Sequence, residues 1–200
     1  MANSNDKYSI SVSGSGTVEK GEYAYVSAHL TRIDGESGST QGNSYSLEVT
    51  DRTGDEVYSD SDTSNMSCSF SIPTSGLSLG TYTATVTCFR SDRISDYTTF
   101  TVVAPNSAPN PPSSITVPGG SIYSSTPVDI SWSASTDPDG DLAGYELERQ
   151  LDGSGSFAQI YRGSSRSYQD TIPTGKHTSV IYRLRAYDSA GNYSSNCTLP

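Results

Sequence analysis

The densest set of oxygen ligands in the chain is Asp137-Pro-Asp139-Gly-Asp141, three carboxylates alternating around a glycine turn. Hard oxygens at that spacing can surround Ca²⁺, which takes six to eight of them at about 2.3–2.6 Å. No glutamate stands where an EF-hand loop needs its bidentate ligand. Asp, Pro and Gly are also the preferred turn formers, so the favoured reading of these carboxylates is as solvated turn residues, with Ca²⁺ the alternative. No cofactor is expected unless this loop takes Ca²⁺. Tyrosine is the other unusual resource, with 14 residues against 4 Phe and 1 Trp. Five of them, Tyr23, Tyr25, Tyr161, Tyr187 and Tyr193, are expected on the surface, where an apolar ring with a polar tip can stack on a sugar. Outward tyrosine is also frequent on β surfaces simply because it fits a pleated, half-buried face.

Catalytic chemistry is not expected. The two histidines, His29 and His177, lie in different halves of the chain, on an outward strand face and in a turn. The G-x-S-x-G nucleophile elbow is absent from any strand-turn-helix context, and there is no CxxC or HExxH pattern. The glycine-serine segments at 14–16 and 153–155 fall in hairpin turns with no following helix, so they do not cradle phosphate.

The elements that must position these residues are strands. Alternation is clearest at 22–30, where Ala24, Val26, Ala28 and Leu30 share one face and Tyr23, Tyr25, Ser27 and His29 the other. Further strands are expected at 45–50, 56–59, 67–72, 81–89 and 98–103, with a Gly/Ser-rich connection at 34–43. After a proline-rich stretch they resume at 115–117, 128–133, 144–151, 157–162, 167–172, 179–187 and 195–199. No long 3.6-residue period occurs, and evenly spaced short strands predict an all-β chain of two β-sandwich domains. Residues 1–104 and 115–200 form the two sandwiches. Residues 105–114, rich in proline, read as a short stiff linker, because proline fixes φ and favours extended polyproline II.

Two resemblances sharpen this. Leu77 to Cys88, LSLGTYTATVTC, resembles the end of an immunoglobulin-like domain, which implies that the Tyr82 hydroxyl ties back to the backbone at a tyrosine corner. The strand at 22–30 lacks the cysteine an antibody domain keeps there. Cys68 and Cys88 share the inward phase of their strands, either bridged or as buried thiols, and with Cys197 the cysteine count is odd. In the second half Trp132, Tyr145, Ile172-Pro173-x-Gly175 and the run IYRLRAYDSAGN resemble the fibronectin type III pattern over most of the domain. Val180, Tyr182, Leu184 and Ala186 should face inward, with Arg183 and Arg185 outward beside Glu146 and Glu148. The acidic loop is similar in spacing to those of bacterial cadherin-like domains.

The second domain with its joint, NSAPNPPSSITVP onward, resembles modules of tailed-bacteriophage virion proteins of Gram-positive gut bacteria. That resemblance implies a non-enzymatic accessory protein of capsid or tail, held by virion structural proteins in a multi-copy assembly on the virion surface. One domain would dock and the other project toward host cell-surface glycans. The alternative is an extracellular adhesive or spacer module of a secreted glycoside hydrolase or surface adhesin, since similar modules accompany those enzymes. MANSNDKYSISV has no apolar leader region, which favours the virion. Net charge is −10 with a pI near 4.4, so nucleic acid is not an expected partner, its phosphates being repelled. No apolar run approaches the roughly 18 residues needed for membrane insertion.

Overall fold

In a computed structural model the described residues are 3–4, 7–34, 42–89, 93–119, 124–125, 127–153 and 155–199, and all their regular structure is strand. The expected Gly/Ser-rich connection at 34–43 lies, for 35–41, outside them. The chain divides into two compact units, residues 1–105 and 106–200.

The first unit runs β1 Asn3–Ser4, β2 Tyr8–Gly14, β3 Thr17–Glu19, β4 Tyr23–Arg32, β5 Asn43–Thr50, β6 Glu56–Ser64, β7 Ser67–Pro73, β8 Gly80–Phe89 and β9 Arg93–Val103. These form two sheets, ordered β1-β2-β4-β7 and β3-β9-β8-β5-β6. The chain changes sheets between β2 and β3, so that β3 runs parallel to β9 while every other pairing in the unit is antiparallel.

In β4 Ala24, Val26, Ala28 and Leu30 are buried, and Tyr23, Tyr25, Ser27 and His29 are exposed. The inner faces of both sheets close on Tyr45, Leu47, Phe70, Ile72, Val86 and Phe100, each fully buried large side chain contributing about 1.5–3 kcal/mol. Cys68 and Cys88 enter this core from β7 and β8, strands of different sheets, and no disulfide joins them. Burial pushes the Cys68 thiol up to about 11.

Tyr82 makes the expected corner. Its hydroxyl donates to the Ser78 carbonyl at 2.8 Å, and its ring stacks on Phe100 with centroids 5.5 Å apart. Tyr82→Phe keeps the stack and removes one hydrogen bond, so urea unfolding should show a loss of about 0.5–1.5 kcal/mol with an unchanged m-value. An unchanged midpoint would mean that the corner does not stabilise the unit.

Strand β6 extends beyond the expected 56–59 through Asp60 and Asp62 to Ser64. It lies at a sheet edge, paired only with β5, and both its faces are largely wet, so no apolar period marks it. Strand β3 was not expected, because only Val18 of its three residues points inward.

The second unit runs β10 Ile115–Thr116, β11 Pro127–Trp132, β12 Leu142–Leu151, β13 Ala158–Gly163, β14 Ser167–Thr171, β15 Val180–Asp188 and β16 Cys197–Leu199. Its sheets are β10-β11-β14 and β13-β12-β15-β16, all antiparallel. Trp132 sits between them, edge-on to Tyr145 at 5.8 Å and tilted against Tyr161 at 5.7 Å. Leu147, Leu184 and Ala186 are wholly buried around it.

The third inward position of β12 is Arg149. Its guanidinium donates to both Asp170 oxygens, at 2.7 and 2.9 Å, and the Tyr182 hydroxyl donates to the same carboxylate at 2.9 Å.

The proline-rich stretch differs from the expected spacer. Asn106 donates to Asp188, the Ser107 N–H to Asp139, and Asn110 to Thr136 through both its backbone and its amide. Pro109 and Pro112 are buried. Residues 106–114 therefore belong to the second unit, laid over it by side-chain contacts that proline content alone does not reveal.

Candidate functional site

Three groups of residues carry surface chemistry, and the acidic loop between β11 and β12 is the first. Asp137 Oδ1 accepts from the N–H groups of Asp139 and Gly140, at 2.8 and 3.0 Å, closing a turn that Gly140 completes at φ +80°. Asp139 turns away, its Oδ2 accepting from the Ser107 N–H at 2.7 Å. Asp141 Oδ2 accepts from the Ser189 hydroxyl at 2.8 Å, and its carbonyl from the Ser189 N–H.

Strand pairing of Leu142 with Asp188 brings the end of β15 against this loop. Asp137, Asp141 and Asp188 then place one carboxylate oxygen each within 4.8 Å of the others. The expected trio of Asp137, Asp139 and Asp141 is thus not the one that converges; Asp188 takes the place of Asp139. Asp188 is 2% exposed. Burial pushes its carboxyl up, but donation from the Asn192 amide and N–H and from the Asn106 amide outweighs this and holds it below the ordinary range.

The second group is the outward face of β13-β12-β15. Arg185 donates to Glu146 through Nε at 3.0 Å and Nη2 at 2.5 Å, Arg162 donates to Glu146 at 2.8 Å, and Arg183 pairs with Glu148. These are the expected cross-strand pairs, with Arg162 added. The arginines cover both glutamates, leaving them 4% and 8% exposed. Burial pushes the Glu146 carboxyl up, yet the Arg185 and Arg162 guanidiniums hold it below the usual carboxylate range.

This lattice engages two of the expected sugar-contact rings. The Arg162 guanidinium lies 3.8 Å from the Tyr187 ring centre and the Arg185 guanidinium 3.8 Å from that of Tyr193, an arrangement that satisfies ring faces by cation–π attraction. Tyr161 is half-buried, packed against Trp132 and Tyr168, its hydroxyl accepting from the Ser165 N–H at 2.8 Å. None of these three presents an open ring.

Tyr23 and Tyr25 do, at 52% and 60% exposed. They stand on the outward face of β2-β4-β7, where register places Ser11 and Ser13 on one side of β4 and Ser67, Ser69 and Ser71 on the other. The Ser13 and Ser27 hydroxyls are 3.2 Å apart, and His29 Nδ1 meets the Ser67 hydroxyl at 2.8 Å. The central rows of this face carry hydroxyls, an imidazole and two rings but no Asp, Glu, Lys or Arg, in a chain of net charge −10. His177 is elsewhere, its Nδ1 2.9 Å from Asp152 Oδ2. That contact comes first among the causes that hold the Asp152 carboxyl at about 2, followed by donation from the Thr178 N–H.

Fold and surface together define a tandem of β-sandwich modules of the immunoglobulin-like and fibronectin type III-like class. No family model matches the chain and no curated protein matches it. Among solved structures it is similar to titin domains A168-A170, with a TM-score of 0.57 at 16% identity over 95% of this chain. It spans 63% of that titin segment's length, and the likeness shows the fold alone. Also similar are the chicken CNTN1 FN1-FN3 domains, with a TM-score of 0.42, 12% identity and coverage of 94% of this chain and 62% of that one. A two fibronectin type III domain segment from chicken tenascin gives a TM-score of 0.37 at 14% identity, covering 100% of this chain and 98% of that one.

Proposed function

We propose that the chain is a non-enzymatic adhesion and spacer module whose first unit holds a neutral glycan on the outward face of β2-β4-β7. The observation that carries this reading is the uncharged, hydroxyl-rich face with Tyr23 and Tyr25 two positions apart on β4. A neutral polysaccharide meets no charge there to desolvate. Two exposed rings offer apolar area for sugar faces, and flanking serine hydroxyls can donate or accept as needed.

The carrier in this proposal is a bacteriophage particle, with the chain displayed in many copies on capsid or tail. Its support is the resemblance of the second unit and its leading segment to virion modules. In that setting the net charge of −10 keeps neighbouring copies apart while the neutral face stays available.

Both parts are testable. Peptides of this chain should band with intact particles in stoichiometric amounts on density gradients of the source lysate. Recovery in the supernatant or the cell-wall fraction would instead favour the secreted adhesive module. On an array of neutral bacterial cell-wall polysaccharides the protein should be retained. Tyr23→Ala with Tyr25→Ala should weaken retention about tenfold or more, two ring contacts at roughly 0.5–1.5 kcal/mol each. Unchanged retention would remove this face from the account.

A further inference from the structure

The geometry points to a Ca²⁺ site in the second unit built by Asp137, Asp141 and Asp188, independent of the glycan-binding reading. Two of these residues each have an oxygen, Asp137 Oδ2 and Asp141 Oδ1, that is buried with under 1 Å² accessible and accepts no hydrogen bond. Each belongs to a carboxylate whose other oxygen is already occupied, by the turn N–H groups and by the Ser189 hydroxyl respectively. A buried carboxylate oxygen without a donor costs free energy, and three carboxylates within 4.8 Å add mutual repulsion. Among the described residues no Lys, Arg or His forms an ion pair with any of the three. A cation satisfies the two donorless oxygens and neutralises the repulsion among all three carboxylates.

Ca²⁺ is the cation such a set suits: it accepts flexible groups of protein carboxylates at about 2.3–2.6 Å, whereas Mg²⁺ demands near-octahedral geometry at about 2.0–2.1 Å, keeps several waters and is seldom held by protein oxygens alone. The set is also preorganised. Asp188 is fixed by Asn106 and Asn192, Asp141 by Ser189, and Asp137 by its own turn. Bound Ca²⁺ would tie the β11–β12 loop to the end of β15, and through Asn106 to the segment that opens the unit. Three carboxylates without a glutamate chelate suit the weaker range of extracellular modules, a Kd on the order of 10⁻⁴–10⁻³ M.

The test uses the full chain stripped of divalent ions, titrated with CaCl₂ in calorimetry and in thermal unfolding read by Trp132 fluorescence. One Ca²⁺ per chain should bind, the midpoint should rise with concentration, and MgCl₂ at equal concentration should do neither. Asp141→Asn, which retains an acceptor for Ser189, should weaken binding tenfold or more, whereas Asp139→Asn should leave it unchanged. Circular dichroism confirms that both variants fold. Absence of binding to the wild-type chain at several millimolar CaCl₂, or equal weakening by Asp139→Asn, overturns the assignment.

Discussion

Trp132→Ala is expected to remove about 3–5 kcal/mol from the stability of the second unit, the range for deleting a large buried ring. The indole is 6% exposed and supports two aromatic neighbours, Tyr145 and Tyr161, with Tyr168 tilted against the latter. Truncation leaves a void that rings held by their own hydroxyl bonds do not easily fill. Tyr145 accepts from the Ser135 N–H and Tyr161 from the Ser165 N–H, both at fixed positions. Against a whole-domain stability of about 5–15 kcal/mol, the variant unit lies close to unfolding at ambient temperature. Urea titration followed by hydrogen exchange of the β12 and β15 amides checks this. A loss under about 1 kcal/mol would show that the sandwich repacks without the indole.

The second large effect is at Arg149. Arg149→Met should cost about 3–5 kcal/mol, because it strands the Asp170 carboxylate, 3% exposed, with only the Tyr182 hydroxyl as donor. Taking both charges out of water already offsets most of the pair's attraction, so the double variant Arg149→Met, Asp170→Leu should recover most of the loss. A double-mutant cycle in urea separates the two cases. If the single and double variants are equally unstable, the methylene packing of Arg149 matters rather than its charge.

Much of this architecture is legible from alternation alone. In β4 and β15 a side chain's face follows from its parity, and Tyr82 declares itself by the LxLGxY run that precedes it. Parity does not say what lies over a face. Tyr187 and Tyr193 point outward as expected, but Arg162 and Arg185, recruited by Glu146, close over them. Tyr161 instead packs against Trp132, because β13 is short and its pairing with β12 shifts register between Leu147 and Glu148, so a simple period of two does not hold along the strand. The carboxylate cluster was half legible. Its loop is contiguous, but Asp188 arrives from another strand through the β12–β15 register, which no local motif records. Along 106–114 proline content describes backbone stiffness, whereas Asn106 and Asn110 decide where that backbone is fastened.

Two of the edge strands of the first unit, β6 and β7, differ in a way that bears on crowding. Strand β6 exposes its edge with Asp60 and Asp62 along it, whereas β7 exposes serines and ends at Pro73. Should another chain try to extend the sheet at β6, it would align two rows of carboxylates across a strand spacing of about 4.8 Å, and those rows repel. Copies held at high local density are therefore guarded on that side against runaway strand addition, the first step toward fibrous aggregates. Edge pairing meets no such repulsion at β7, where the backbone alone sets the terms until proline ends the ladder.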